Sequence, residues 1–243
     1  MSAKTSEEGF LQPQDLNRLS PLRDQIYRLL RAAIVNGRLK PGQPIDELGI
    51  AGRLKISRTP VREAVKKLSD EGLIHVIAQS GTYVASIDRK QLEEAYVIRT
   101  ALELESVSRA ALTITERHIQ DLEDIVDGIA RAFERRAFDE VVARDDDFHR
   151  YIADINGLSM LWRAVDISKA QMDRCSYLSA TTPSMGSLAT VEHKAIIRAL
   201  KTRQKHKALV AMRTHLDNSL RTALSLLDTA SHPSPVGSRP PRR

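Results

Sequence analysis

The chain has 243 residues, 42% of them hydrophobic, and a formal net charge of +6. That length accommodates two modest cores, and a single cysteine, Cys175, excludes an internal disulfide framework and fits a reducing cytoplasm as a buried thiol. No apolar run approaches the ~18 residues of a membrane span and the N-terminus lacks a signal-peptide core, so a cytoplasmic protein with no membrane partner is expected.

The charge is unevenly placed. Residues 15–88 carry +4, residues 89–228 sum to zero, and the segments before and after them carry −1 and +3. Basicity confined to one module is expected where only that module meets phosphate. Residues 1–14, MSAKTSEEGFLQPQ, and residues 229–243, ending in SHPSPVGSRPPRR, read as disordered tails from their low apolar content and their Pro, Ser and Arg.

Leu22 to Asn36 carries Leu22, Ile26, Leu29, Leu30, Ala33 and Ile34 at helical spacing and is stopped by Gly37. The turn RLKPGQPI leads to a short helix over about 46–54, and LKIS joins it to a helix opening at Ile56. In that helix Val61, Ala64, Val65 and Leu68 share one stripe, while Arg58, Arg62 and Lys66 repeat every four residues on another. Ser57 stands as N-cap, Pro60 lies in the first turn, and Gly72 follows the last. By itself a basic stripe is more often a solvated face than a nucleic-acid surface. Here two tightly joined short helices, the second basic at its start, form the pattern of a helix-turn-helix. LIHVI and TYVASI are strand-like runs around AQSG, with Gly81 available for positive φ. A winged helix-turn-helix is therefore expected over 15–88.

The run NGRLKPGQPIDELGIAGRLKISRTPVREAVKKLSDEGLIHVIAQSGTYV resembles the DNA-binding domain of GntR-type bacterial transcription regulators, through its PG turn, SRTPVREAV helix start, EGLI and glycine wing. In that family recognition-helix arginines read guanines in the major groove while the wing enters the adjacent minor groove. The resemblance implies Arg58 and Arg62 as base readers, Ser57 and Thr59 as contacts to phosphate or base edges, and Gly81 at the wing tip, with Lys66 extending the cationic stripe. A guanidinium fork suits guanine, whose O6 and N7 it can bind bidentately. Leu48 stands where some relatives place an arginine on the second helix.

Beyond Asp88 no strand-like alternation is evident. Six helical segments, about 90–112, 115–136, 138–155, 158–178, 188–202 and 204–228, predict an all-α antiparallel bundle over 89–228. In the third, Phe138, Val141, Val142, Phe148 and Ile152 form an inward stripe that also carries Asp145 and His149 at i, i+4, whereas Asp146 and Asp147 point to solvent. A carboxylate in a core must be paired or bind a metal, and on this helix alone an ordinary Asp–His hydrogen bond suffices. His193, in line with Ile196, Ile197 and Leu200, and His215, flanking Leu209, Met212, Leu216 and Leu220, shift the balance. Three histidines and an aspartate from three helices suit one divalent cation, Zn, Ni or Mn. His75, His118, His206 and His232 have no such setting.

The segments DDDFHRYI, VEHKAIIRALKTRQKHKALVAMRTHL and VIRTALELESVSRAA look like the effector domain of the FadR subfamily of GntR regulators. In metal-binding members an Asp-x3-His pair and two later histidines hold a divalent ion beneath a small-ligand cavity; these fall on Asp145, His149, His193 and His215. The resemblance places an effector-binding arginine at Arg99, although an i, i+4 salt bridge to Glu103 is an alternative for it. Six helices match the VanR-type arrangement better than the seven-helix FadR-type one. The expectation is a homodimeric transcription regulator and repressor, not an enzyme, that binds a palindromic operator and senses a small organic acid or sugar acid. Rival readings are a metal-free sensor of an acyl thioester, a purely structural metal, and a metalloenzyme.

Overall fold

The computed structural model describes residues 11–17, 19–182 and 186–231. The expected tails fall largely outside the described residues, as does His232; of the described residues before Leu16, Leu11 is buried in the first core and Pro13–Asp15 form a 3-10 turn. At the other end the last helix continues to Ser231.

The first domain packs α1 (Leu22–Val35), α2 (Glu47–Leu54) and α3 (Arg58–Asp70) against an antiparallel hairpin of β1 (Ile74–Ile77) and β2 (Gly81–Val84). Asp46 caps α2 by accepting from the Gly49 N–H at 2.9 Å, and Lys55, in the left-handed region at φ 54°, turns the chain into α3. Val61, Ala64, Val65 and Leu68 are buried, as the stripe predicts, with Ile26, Leu30, Ile50 and Leu54 opposite them. Ser57 takes the N-cap backbone position, but its hydroxyl makes no capping bond, which corrects that expectation. The reason is local: Pro60 fills the third helical position and has no N–H to offer. The hairpin pairs Ile74 with Val84 and Ile77 with Gly81, whose φ of 138° favours glycine. The PG turn closes on the other edge of β2, through Gly42 N–H to Val84 O at 2.8 Å and Ile45 N–H to Thr82 O at 2.8 Å. The wing is thereby tied to the start of α2.

Asp88, accepting from the Gln91 N–H at 2.9 Å, opens the helical domain. It comprises α4 (Arg89–Thr113), α5 (Glu116–Glu134), α6 (Phe138–Asp154), α7 (Ser159–Ser168), α8 (Ala170–Ala180), α9 (Gly186–Lys201) and α10 (Lys205–Ser231). Among the described residues these are seven helices where six were expected, so the count lends nothing to a VanR-type arrangement. The expected 158–178 helix breaks at Lys169. No proline or glycine marks the place; tertiary contacts set it, with Ala170 entering the first core while the Lys169 ammonium turns back to Asp146 and Asp173. Val107, Phe148, Ile152, Ile196, Leu200, Met212 and Leu216 form the main apolar core of this domain. Among the described residues no helix is long and apolar enough to cross a membrane.

Leu68 is fully buried, so Leu68→Ala is expected to lower stability by about 2–5 kcal/mol in urea denaturation. Lys66→Ala, on the exposed face of the same helix, should stay within about 0.5 kcal/mol of wild type.

Candidate DNA interface and candidate metal centre

The first turns of α3 present Ser57, Arg58, Thr59, Arg62 and Lys66 to solvent together, and Gly81 is exposed at the tip of the wing. Among the described residues Arg58, Arg62 and Lys66 have no acidic partner, so their charge is not neutralised within the chain. Leu48 on α2 is 56% exposed, an apolar side chain without a donor.

In the helical domain His149 of α6, His193 of α9 and His215 of α10 are all buried, and one ring nitrogen from each falls within 4.8 Å of the others. Asp145 lies outside that set and meets it through His193, with Oδ1 3.3 Å from Nε2. The outer nitrogens are held by carboxylates: His149 Nδ1 lies 2.5 Å from Glu103 Oε2, and His215 Nδ1 lies 2.9 Å from Glu192 Oε2. Glu192 also accepts from Asn218 Nδ2 at 2.5 Å. His215 Nδ1 hydrogen-bonds Glu192, and His149 Nδ1 stands against the Glu103 carboxylate as an ion-pair contact without hydrogen-bond geometry; with the proton of each ring on Nδ1, the Nε2 lone pairs of His149 and His215 face each other at 3.2 Å. Two lone pairs at that distance repel unless a proton or cation lies between them.

Further observations favour a cation. Both ring nitrogens of His193 lack a hydrogen-bond partner, although buried donors and acceptors are nearly always paired. Burial and the neighbouring His215 imidazole hold the His193 pKa well below the ordinary 6.5, so the ring is neutral and its lone pair free. Burial raises the pKa of Asp145, but His193, His149 and His215 around it outweigh that and hold it below the usual carboxylate range. The donor set is thus imidazole nitrogens with one ionised carboxylate at the edge, each imidazole of the facing pair braced by a second carboxylate; these residues fit a divalent transition metal.

A cavity of about 760 Å³, counted with its open mouth, adjoins the cluster and is lined in part by Arg99, Asp145, Met172, Cys175, Glu192 and His215. Arg99 makes the salt bridge to Glu103 Oε1 at 2.6 Å that was one of its two readings, and it also lines the cavity. Burial opposes its charge, but Glu103 pushes its pKa up. Glu103 is in turn held low: burial raises it, and Arg99 and His149 more than reverse that.

Two family descriptions match the chain: "Bacterial regulatory proteins, gntR family" over residues 22–84 and "FCD domain" over residues 94–218. The chain belongs to the GntR family. The HTH-type transcriptional repressor RspR of Escherichia coli K12 is 36% identical over 201 residues, 83% of this chain and 88% of that protein. A probable D-xylose utilization operon transcriptional repressor of Paenarthrobacter nicotinovorans is 30% identical over 198 residues, 79% of this chain and 84% of the relative. The solved structure of E. coli McbR/YncC has a TM-score of 0.73 at 20% identity, covering 86% of this chain and 99% of that one, a likeness of fold. This GntR chain is accordingly a transcriptional regulator with a DNA-binding helix-turn-helix and an FCD effector-binding domain, and the family and these relatives are regulators rather than enzymes.

The sequence reading missed Glu192 and placed Asp146 wrongly. Glu192 stands one turn before Ile196 and two before Leu200, so the helical period that singled out His193 also puts Glu192 on the inward side of α9, and the packing of α10 across it supplies its partner His215. Asp146 was expected to be solvated, but its Oδ1 lies 2.7 Å from the buried Lys169 Nζ. His75 and His206 are exposed, and His118 sits in the capping turn of α5 with Thr115.

The depressed pKa of His193 means that the unfolded chain takes up a proton below about pH 6.5 that the folded chain refuses. Chelator-treated protein should therefore lose melting temperature as pH falls through that value. A second loss is due below about 4.5, where Glu103 and Asp145 remain ionised in the folded state but protonate in the unfolded one. His193→Gln should abolish the first stage; a melting temperature that stays flat through it in wild type contradicts the assignment.

Proposed function

We propose that this chain is a homodimeric repressor of the FadR subfamily, acting in the cytoplasm, whose residues 15–88 bind a palindromic operator and whose residues 89–228 bind a divalent metal and a small carboxylate that modulates operator binding. The observation that carries the effector half is the gathering of three histidine nitrogens within 4.8 Å beside a cavity that Arg99 lines. The repressor names of two relatives support the sign of regulation.

On this reading His149, His193, His215 and Asp145 hold the metal, which supplies a Lewis-acidic seat for a carboxylate. The rest is done by the chain itself. Glu103 and Glu192 fix the tautomers of His149 and His215 so that each presents Nε2 inward. Arg99, anchored through Nε by Glu103, offers its remaining guanidinium N–H groups to the ligand. Ser176, Ser179, Ser219 and Thr222 on the cavity wall supply hydroxyls, which suits a hydroxylated organic acid or sugar acid better than an acyl chain. In the other domain Arg58 and Arg62 read guanines, Ser57, Thr59 and Lys66 position the helix on phosphate, and the wing at Gly81 follows into the minor groove.

The deciding experiment is a thermal-shift screen of mono-, di- and sugar acids on the protein before and after metal removal. An acid that stabilises only the metal-loaded form is expected; stabilisation by metal alone, with no acid adding to it, marks the ion as structural. Glu103→Gln should weaken metal binding about 10–100-fold by titration calorimetry, because it removes the brace on His149. For the DNA half, Arg62→Ala should cost about 1–3 kcal/mol of operator affinity and relax one base preference, whereas Lys66→Ala should weaken all sequences alike. Unchanged base preference in Arg62→Ala sinks the base-reading assignment.

A further inference from the structure

One short helix, α8, belongs to both domains. Its Met172 and Cys175 line the cavity, while Ala170 at its start is fully buried in the core of the winged domain. Between them Gln171 Nε2 donates to the Gly72 carbonyl at 2.6 Å and Arg174 Nη1 donates to the Ala85 carbonyl at 2.8 Å. Gly72 lies between the recognition helix and β1, and Ala85 directly follows β2, so α8 grips the base of the wing on both sides.

A row of buried or half-buried charges runs along the same seam. Asp146, next in sequence to Asp145, has Oδ1 2.7 Å from Lys169 Nζ, which is 2.6 Å from Asp173 Oδ1. The other oxygen of Asp173 accepts from Arg31 Nη2 of α1, and Arg31 Nε lies 3.4 Å from Glu71 Oε2. Glu71 is the C-cap residue of α3 and accepts from the Tyr27 hydroxyl at 2.6 Å. The signs alternate through Asp146, Lys169, Asp173, Arg31 and Glu71. The row starts on the helix that carries Asp145 and His149 and ends on the helix that carries Arg58 and Arg62.

Lys169 is 2% exposed, and a cation so placed cannot lose a partner cheaply. Lys169 and Asp173 ride together at the start of α8, so displacing α6 strains the Asp146–Lys169 contact, and a shift of α8 in response strains the contact of Asp173 with Arg31. Packed seams of alternating buried charge move between discrete arrangements rather than deforming smoothly. We infer that Lys169 and Asp173 are positioning residues that couple the cavity to the recognition helix and wing. The inference rests on reading the cavity as the effector site, and it assigns a role to the α7–α8 break at Lys169, which no proline or glycine explains.

The test is hydrogen exchange of the full-length protein by mass spectrometry, read in segments. Lys169→Met lies in the helical domain, yet it should speed exchange about tenfold in residues 27–31 and 68–77 of the winged domain, with α5, which has no member of the row, changing less than about twofold. Arg31→Gln lies in the winged domain and should do the reverse, speeding residues 141–149 and 165–173. It also carries the test alone should Lys169→Met not fold. Exchange changes confined to the mutated domain, or equal changes in α5, overturn the coupling. A third arm adds Zn²⁺ to wild type and to Lys169→Met. Slowed exchange around His149, His193 and His215 should extend to residues 68–77 in wild type and not in the variant. Slowing confined to the histidine helices of wild type overturns the coupling while leaving the metal reading intact. If Zn²⁺ slows nothing, the metal reading falls and the two variants decide the coupling by themselves.

Discussion

The helical domain is organised by the problem of burying three imidazoles in one place. Each ring needs a partner for its outer nitrogen, and the domain sets carboxylates from two other helices there: Glu192 on α9 hydrogen-bonds His215, and Glu103 on α4 lies 2.5 Å from His149 Nδ1 as an ion-pair contact. A buried carboxylate creates its own demand, and Arg99 answers it one turn away on α4. The result is a polar layer across α4, α6, α9 and α10 inside an otherwise apolar core. Phe148 packs on the His193 ring at a centroid distance of 4.3 Å, which keeps that side of the layer dry. His193 alone is left without a hydrogen bond on either nitrogen. Leaving such a group unpaired costs about 1–3 kcal/mol, so the remaining deficit sits where the three rings meet.

Local information made the winged domain legible. The α3 stripe needed only the 3.6-residue period, and the hairpin needed only a strand pattern and a glycine that can adopt φ 138°. The one local rule that failed, the Ser57 cap, failed for another local reason, the missing N–H of Pro60. The metal candidates were legible for a related cause. Asp145 and His149 stood out because polar residues sit badly on an apolar helical face, and His193 and His215 because they keep step with buried neighbours. Periodicity locates such residues on a face, but convergence in space is a property of helix packing, which a single sequence does not encode in its period.

The features that escaped are those whose meaning lies on another element. Asp146 looks like a solvated member of a DDD run until Lys169 is seen to reach it from the α7–α8 break. Lys169 itself looks like an ordinary surface lysine, since nothing near it in sequence announces that it will be 2% exposed. Leu11 sits in a polar segment with no helical or strand pattern, yet it is buried in the core of the winged domain. The Asp146–Lys169 pair joins two separate helices, so the energetic reason for either side chain's position is absent from its own stretch of sequence.

That division bears on how the two domains depend on each other. Along α8, Gln171 and Arg174 take hold of backbone carbonyls, those of Gly72 and Ala85. Any residue at those positions offers the same acceptor, so the grip depends on the path of the winged-domain backbone rather than on its side chains. The bonds to Asp173 and Glu71, by contrast, require Arg31 in particular, because one guanidinium reaches both carboxylates. Backbone contacts therefore fix where the wing sits, and the Arg31 contacts tie the end of the recognition helix to the same support. The cationic start of α3, with Arg58 and Arg62, is exposed and has no acidic partner among the described residues, so the helix is restrained at its C-terminal end and free at the end proposed to meet DNA.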